Sequence, residues 1–166
     1  MKITLQLLAL CLLFAGCGRI QPQRPIRHNT GGTQADSTLI GLISLNQRLS
    51  EEADAELTRH ADNTYVLEDN GCWIKGLHDI DDGFTEGTRV TVNIALHNMG
   101  DTLLLNLSET AVVGKYQPFP AMADLLQQMH PKDTIRMLIP WYMGFGITGN
   151  QYIPPYTNLK ATITAE

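Results

Sequence analysis

The sequence predicts an α+β domain: a curved antiparallel sheet wrapped on one short helix and preceded by an N-terminal amphipathic helix. Three observations predict it. From Thr64 onward apolar residues recur at alternate positions, the period of a half-buried strand. Only Pro120 to Met129 interrupts that rhythm, with Met122, Leu125, Leu126 and Met129 at helical spacing. A longer run with helical spacing, Asp36 to Asn63, comes before all the strands. One helix and several short strands bury each other by layering the helix on one sheet face, the α+β arrangement.

The chain has 166 residues, 12 Lys+Arg and 17 Asp+Glu, which is enough for one domain with a real core. Its front end is a separate piece. Residues 1–16 include Lys2 and an almost wholly apolar stretch from Ile3 to Phe14, the layout of an export signal too short to span a membrane. Leu13-Phe14-Ala15-Gly16-Cys17 resembles a bacterial lipobox, which implies lipidation of Cys17, anchoring to a membrane and residence in the bacterial cell envelope. The alternative is a plain signal peptide cut just before Cys17. Residues 17–35 hold Pro and Gly, three Arg and no acidic residue, and are expected to form a flexible basic tether. All 17 acidic residues lie from Asp36 onward, where 8 Lys+Arg remain, so the body carries −9. Such an acidic surface argues against a nucleic-acid partner.

In residues 36–63, Asp36-Ser37-Thr38 offers an N-cap, and Leu39, Ile40, Leu42, Ile43, Leu45, Leu49, Ala53 and Leu57 form an apolar stripe. The stripe is expected to pack on the following domain, with pairing of two copies into a homodimer as the alternative. Residues 64–166 then form the domain. Tyr65 to Leu67 and Cys72 to Ile74 flank Glu68-Asp69-Asn70-Gly71, a hairpin signal. Thr88 to Leu96 alternates, His97 to Gly100 turns the chain, and Leu103 to Leu107 returns. Ile135 to Ile139 and Leu159 to Thr164 supply two more strands.

Several chemistries find no support. The five histidines, His28, His60, His78, His97 and His130, lack the close spacing of a metal site, and no metal or other cofactor is expected. Cys72 reads as a strand cysteine rather than a nucleophile. Asp79, Asp81 and Asp82 lack the glycine and distal glutamate of a calcium loop.

The informative stretch is 138–163. It holds five of the 11 aromatic residues, Trp141, Tyr142, Phe145, Tyr152 and Tyr156, among Pro140, Pro154, Pro155 and three Gly. An aromatic loop on a sheet is expected to be a binding surface; the alternative is that these rings pack on the domain's own core. The string Ile139-Pro140-Trp141-Tyr142-Met143-Gly144-Phe145-Gly146, then Gly149, Ile153-Pro154-Pro155 and Thr157-Asn158-Leu159, resembles the signature of the FKBP-type peptidyl-prolyl cis-trans isomerases. Gly87 before a strand, Val113-Gly114 before the helix and Lys132-Asp133 after it agree in order, so the resemblance spans roughly Tyr65 to Glu166.

That resemblance implies an isomerase acting on proline-containing polypeptides and assisting the folding of envelope or secreted proteins. It places the catalytic elements at Phe119, whose backbone N–H faces the substrate carbonyl, at Phe145 in the flap, and at Ile153. The substrate pocket maps to Ile94, Leu103, Met122, Trp141, Tyr152 and Ala161. Several of these depart from the family pattern. Ile94 stands for a Tyr, Leu103-Leu104 for a Phe-Asp pair, Met122 for the Trp floor and Ala161 for a Phe wall. The expectation is therefore weakened activity, or a binding or chaperone-like module without catalysis.

Overall fold

The computed structural model describes residues 32–77, 83–115 and 117–166. By its contacts the chain divides into Met1–Leu39 and Ile40–Glu166, and the second unit carries the domain. The stretch read as an export signal, Cys17, most of the stretch read as a basic tether and the Asp79 to Asp82 cluster lie outside the described residues.

Helix α1 is Gly32–His60. It starts before Asp36 because Thr33-Gln34-Ala35 contains no helix breaker, so the last residues assigned to the tether are helical. Arg59 and His60 sit in its last turn, where positive charge complements the helix dipole. Ala53 and Leu57 are buried, whereas Leu39, Ile40, Leu42, Ile43 and Leu45 are 38–66% exposed. The expectation that the whole stripe packs within the chain thus holds only for its C-terminal half.

The strands are β1 (Val66–Leu67), β2 (Trp73–Lys75), β3 (Arg89–Asn98), β4 (Leu103–Val112), β5 (Thr134–Ile139) and β6 (Leu159–Ala165). They form one six-stranded sheet in the order β1-β2-β5-β6-β3-β4, with every neighbouring pair antiparallel. β3 continues past Leu96 to Asn98 through a bulge where His97 meets Leu103, and Asp101, in left-handed backbone, makes the turn. β4 runs five residues beyond Leu107, to Val112, because all of β3 is available for pairing.

Helix α2 (Pro120–Leu126) lies on the apolar face. Pro120 suits the first helical position, where no intrahelical N–H is needed. Met122, Leu125, Leu126 and the following Met129 are fully buried against Val92, Ile94, Leu96, Ile135, Met137 and Ile163. The sequence predicted α+β with one short helix on an antiparallel sheet after an amphipathic helix, and that is the fold. No helix among the described residues is long and apolar enough to cross a membrane.

Candidate functional site

Between β5 and β6 the chain makes a loop held mainly by its own backbone. Pro140 leads into a 3₁₀ turn, Trp141–Met143, and Gly146 N–H reaches the Trp141 carbonyl at 2.9 Å. The Gly149 N–H donates to the Phe145 carbonyl, and the Tyr156 N–H to the Gly146 carbonyl. Asn150 Oδ1 accepts from both the Tyr152 and Ile153 N–H groups at 2.8 Å, an Asx turn that fixes the return. Gly149 is required there: its φ is +61°, and a Cβ would collide with the Ile153 carbonyl.

Opposite this loop stands the N-terminus of α2. Phe119 caps the helix in extended backbone (φ −150°, ψ 151°), and its N–H makes no hydrogen bond among the described residues. Its ring is 2% exposed and tilted against the half-buried Phe145 ring, centroids 5.6 Å apart. Beside this pair opens a cleft of about 720 Å³, walled by Pro118, Phe119 and Pro120 on one side and by Tyr142, Phe145 and Gly149 on the other.

Of the residues assigned to catalysis, Phe119 and Phe145 line this cleft, while Ile153 is fully buried. Ile94, Met122 and Ala161 are sealed in the core and do not line it, and Leu103 is 52% exposed at the start of β4. Met122 and Ala161, for which the resemblance implies an aromatic floor and wall, belong to the buried core, and Phe119 and Phe145 are in ring contact. Tyr152 is 56% exposed and does not line the cleft.

The expectation of an exposed aromatic surface fails for Trp141, while Tyr142 is half-buried and walls the cleft. Trp141 is 7% exposed, and its indole N–H donates to the Leu49 carbonyl of α1 at 3.2 Å. The Tyr142 hydroxyl donates to Asp54 at 2.6 Å and the Tyr156 hydroxyl to Asn46 at 3.3 Å. Asn158 ties the set together, accepting from the Trp141 N–H at 2.9 Å while its amide donates to Glu56 at 2.7 Å. Burial, then the bond to Asp54, raises the Tyr142 hydroxyl above the ordinary tyrosine range. The rings reach past their own core to grip α1.

Sequence reasoning missed Asp54, Gln117 and Asn150. Asn150 had a signal, since Gly149-Asn150 is a turn dipeptide. Gln117, 5% exposed, donates to the Val112 and Lys115 carbonyls and shapes the cleft's far lip, with no pattern in the sequence to announce it. Among the described residues no cluster of three His, Cys, Asp or Glu is placed to hold a metal ion.

No family model matches the chain, and no curated protein matches it. Solved structures do. A peptidyl-prolyl cis-trans isomerase from Pseudomonas syringae pv. tomato is similar with a TM-score of 0.58 at 15% identity, over 72% of this chain and 92% of that one. FkpA from Escherichia coli is similar with a TM-score of 0.56 at 15% identity, over 98% of this chain and 80% of that one. AtFKBP13 is similar with a TM-score of 0.53 at 12% identity, over 60% of this chain and 94% of that one. The fold is therefore FKBP-like.

Proposed function

We propose that the chain is an FKBP-type peptidyl-prolyl cis-trans isomerase of weakened activity that acts on proline-containing segments of envelope or secreted proteins. One observation carries the reading: an extended Phe119, its N–H without a partner among the described residues, lines an apolar cleft roofed by Phe145. An X-Pro bond rotates over a barrier of ~18–20 kcal/mol. The twisted amide at the top has lost conjugation and is less dipolar than the planar one, so an apolar wall and one backbone donor favour it without a nucleophile or metal. Ring stacking by Phe145 and the Phe119 N–H supply those two elements. The aromatic floor and the carboxylate expected for full activity are replaced, so little shape selection for the twisted state remains.

The test is cis-trans relaxation of a succinylated Ala-Leu-Pro-Phe anilide with the full chain. Acceleration is expected at micromolar protein and is lost in Phe145→Ala. No acceleration at that concentration sinks catalysis.

The contact between Phe119 and Phe145 favours a second reading, a module that holds extended segments without turning them over. The exposed apolar side chains of the loop include Ile147 and Tyr152. Slowed aggregation of an unfolded client, abolished by Ile147→Ser with Tyr152→Ala, is its signature; unchanged protection in that variant removes those two residues from the account.

Export and anchoring through Cys17 to the bacterial envelope belong to the same proposal, supported by the lipobox-like Leu13 to Cys17. Loss of membrane association in Cys17→Ala tests it. Homodimerisation through α1 is supported by the exposed stripe from Leu39 to Leu45.

A further inference from the structure

Next to the cleft lies a second hollow of about 280 Å³, walled by the consecutive residues Glu109, Thr110, Ala111 and Val112 together with Gln117 and Pro118. Successive strand residues point to opposite sheet faces, so four in a row line one hollow only at the strand's edge. β4 is the outer strand of the sheet, paired only with β3. Lys115, Gln117 and Pro118 border both hollows, so the two form one groove from Phe145 to the edge of β4.

The register says which backbone groups that edge offers. The Glu166 N–H donates to the Thr91 carbonyl, so Thr91 and Asn93 turn their backbone groups toward β6, and Val90, Val92 and Ile94 turn theirs toward β4. On β4 the ladder bonds therefore belong to Ala111, Glu109 and Leu107, and the N–H and C=O of Thr110 and Ser108 point outward. Val112 follows the same alternation: its outward carbonyl already accepts from Gln117 at 2.8 Å and from the Lys115 N–H at 3.0 Å. Gln117 thus occupies one rung as a strand neighbour would, and Ser108 and Thr110, whose N–H groups find no partner among the described residues, are the next free rungs.

We propose that the free edge of β4 at Ser108 and Thr110 is an extension of the proline cleft, taking the flanking part of the same polypeptide as an added antiparallel or parallel strand. This deepens the function proposed above and rests on it. Continuity with the cleft names the occupant. The residue before a proline is held in extended backbone, so a segment leaves the cleft already shaped as a strand. The substrate class is then an unfolded segment whose proline is flanked by several residues able to pair through the backbone, with little demand on side-chain identity.

The experiment compares the full chain's affinity for two probes: the succinylated Ala-Leu-Pro-Phe anilide, and a dodecapeptide with one Leu-Pro flanked by alternating Val and Thr. The dodecapeptide is expected to bind about tenfold tighter, the gain of two or three backbone hydrogen bonds. N-methylation of alternate flanking residues should remove the gain in one phase of the alternation and keep it in the other. Thr110→Pro, at an edge position whose N–H serves no ladder bond, should lose it too. In the unaltered chain, amide exchange at Ser108 and Thr110 should slow when the dodecapeptide binds, which decides the matter even if the proline variant does not fold. Equal affinity for both probes, or unprotected amides, overturns the edge while the cleft stands. Binding of neither overturns both.

Discussion

The Cys72 side chain is fully buried, and burial, then Asp124 and Glu68, push its thiol up to about 12. A thiol held neutral is neither nucleophile nor ligand at physiological pH, so Cys72 acts as a small core residue. We expect no labelling of Cys72 by a thiol reagent at pH 8 in the native chain and full labelling of it after unfolding; rapid native labelling at Cys72 itself would refute burial. Because the folded pKa is raised, this stabilising contribution is complete below the ordinary thiol pKa and is lost as pH rises toward the folded value, so stability should fall in alkaline solution. Cys72→Ala should flatten that fall. Phe119 differs from Phe145 in the same direct way. Phe119→Ala empties a core site and should cost about 3–5 kcal/mol in urea unfolding. Phe145, half-buried, should cost less in stability when truncated and more in ligand binding. The resemblance singled out both positions, Phe119 as the residue before the helix and Phe145 within the loop motif. Their mutual contact was not legible, because no local pattern pairs rings carried by separate elements.

At the scale of elements, the strands and α2 followed from alternation and spacing, and the errors fell at ends such as Gln127 to Met129, where turn bonds continue a helix that has already stopped. The grip of the aromatic loop on α1 was invisible in the sequence because its contacts span 88 to 110 residues and no local pattern encodes such pairs. Tyr142 lines the cleft and bonds Asp54 of α1, so the helix holds one wall of the site. Tyr142→Phe and Asp54→Ala should each lower stability by about 1 kcal/mol, and in a double-mutant cycle their effects should be non-additive. Additive effects would show that the bond carries no coupling. The hydroxyl is raised above the ordinary tyrosine range, so the bond's contribution is complete below that range and fades as pH rises through the folded value. Leu57→Ala, at a fully buried position, should cost about 2–5 kcal/mol and loosen α1 as a whole.

For the whole molecule, the division of α1 into a packed half and a bare half is the property that composition concealed. Ala53 and Leu57 are covered, while Leu39, Ile40, Leu42, Ile43 and Leu45 stand 38–66% exposed on fewer than three helical turns. Covering a Leu or Ile that is fully exposed contributes about 1.5–3 kcal/mol, and these are about half exposed already. Five such side chains on each of two copies are set against an association cost of roughly 4–15 kcal/mol, which leaves a weak dimer. Anchoring of the chain to a membrane through Cys17 would concentrate it and favour that dimer. Sedimentation of the chain without residues 1–17 should show monomer at about one micromolar and dimer at tens to hundreds of micromolar. Ile40→Lys with Ile43→Lys should stay monomeric throughout that range at unchanged thermal stability, since both side chains are already exposed. A wild-type chain that is monomeric at the highest concentration would show that the stripe serves something other than a second copy.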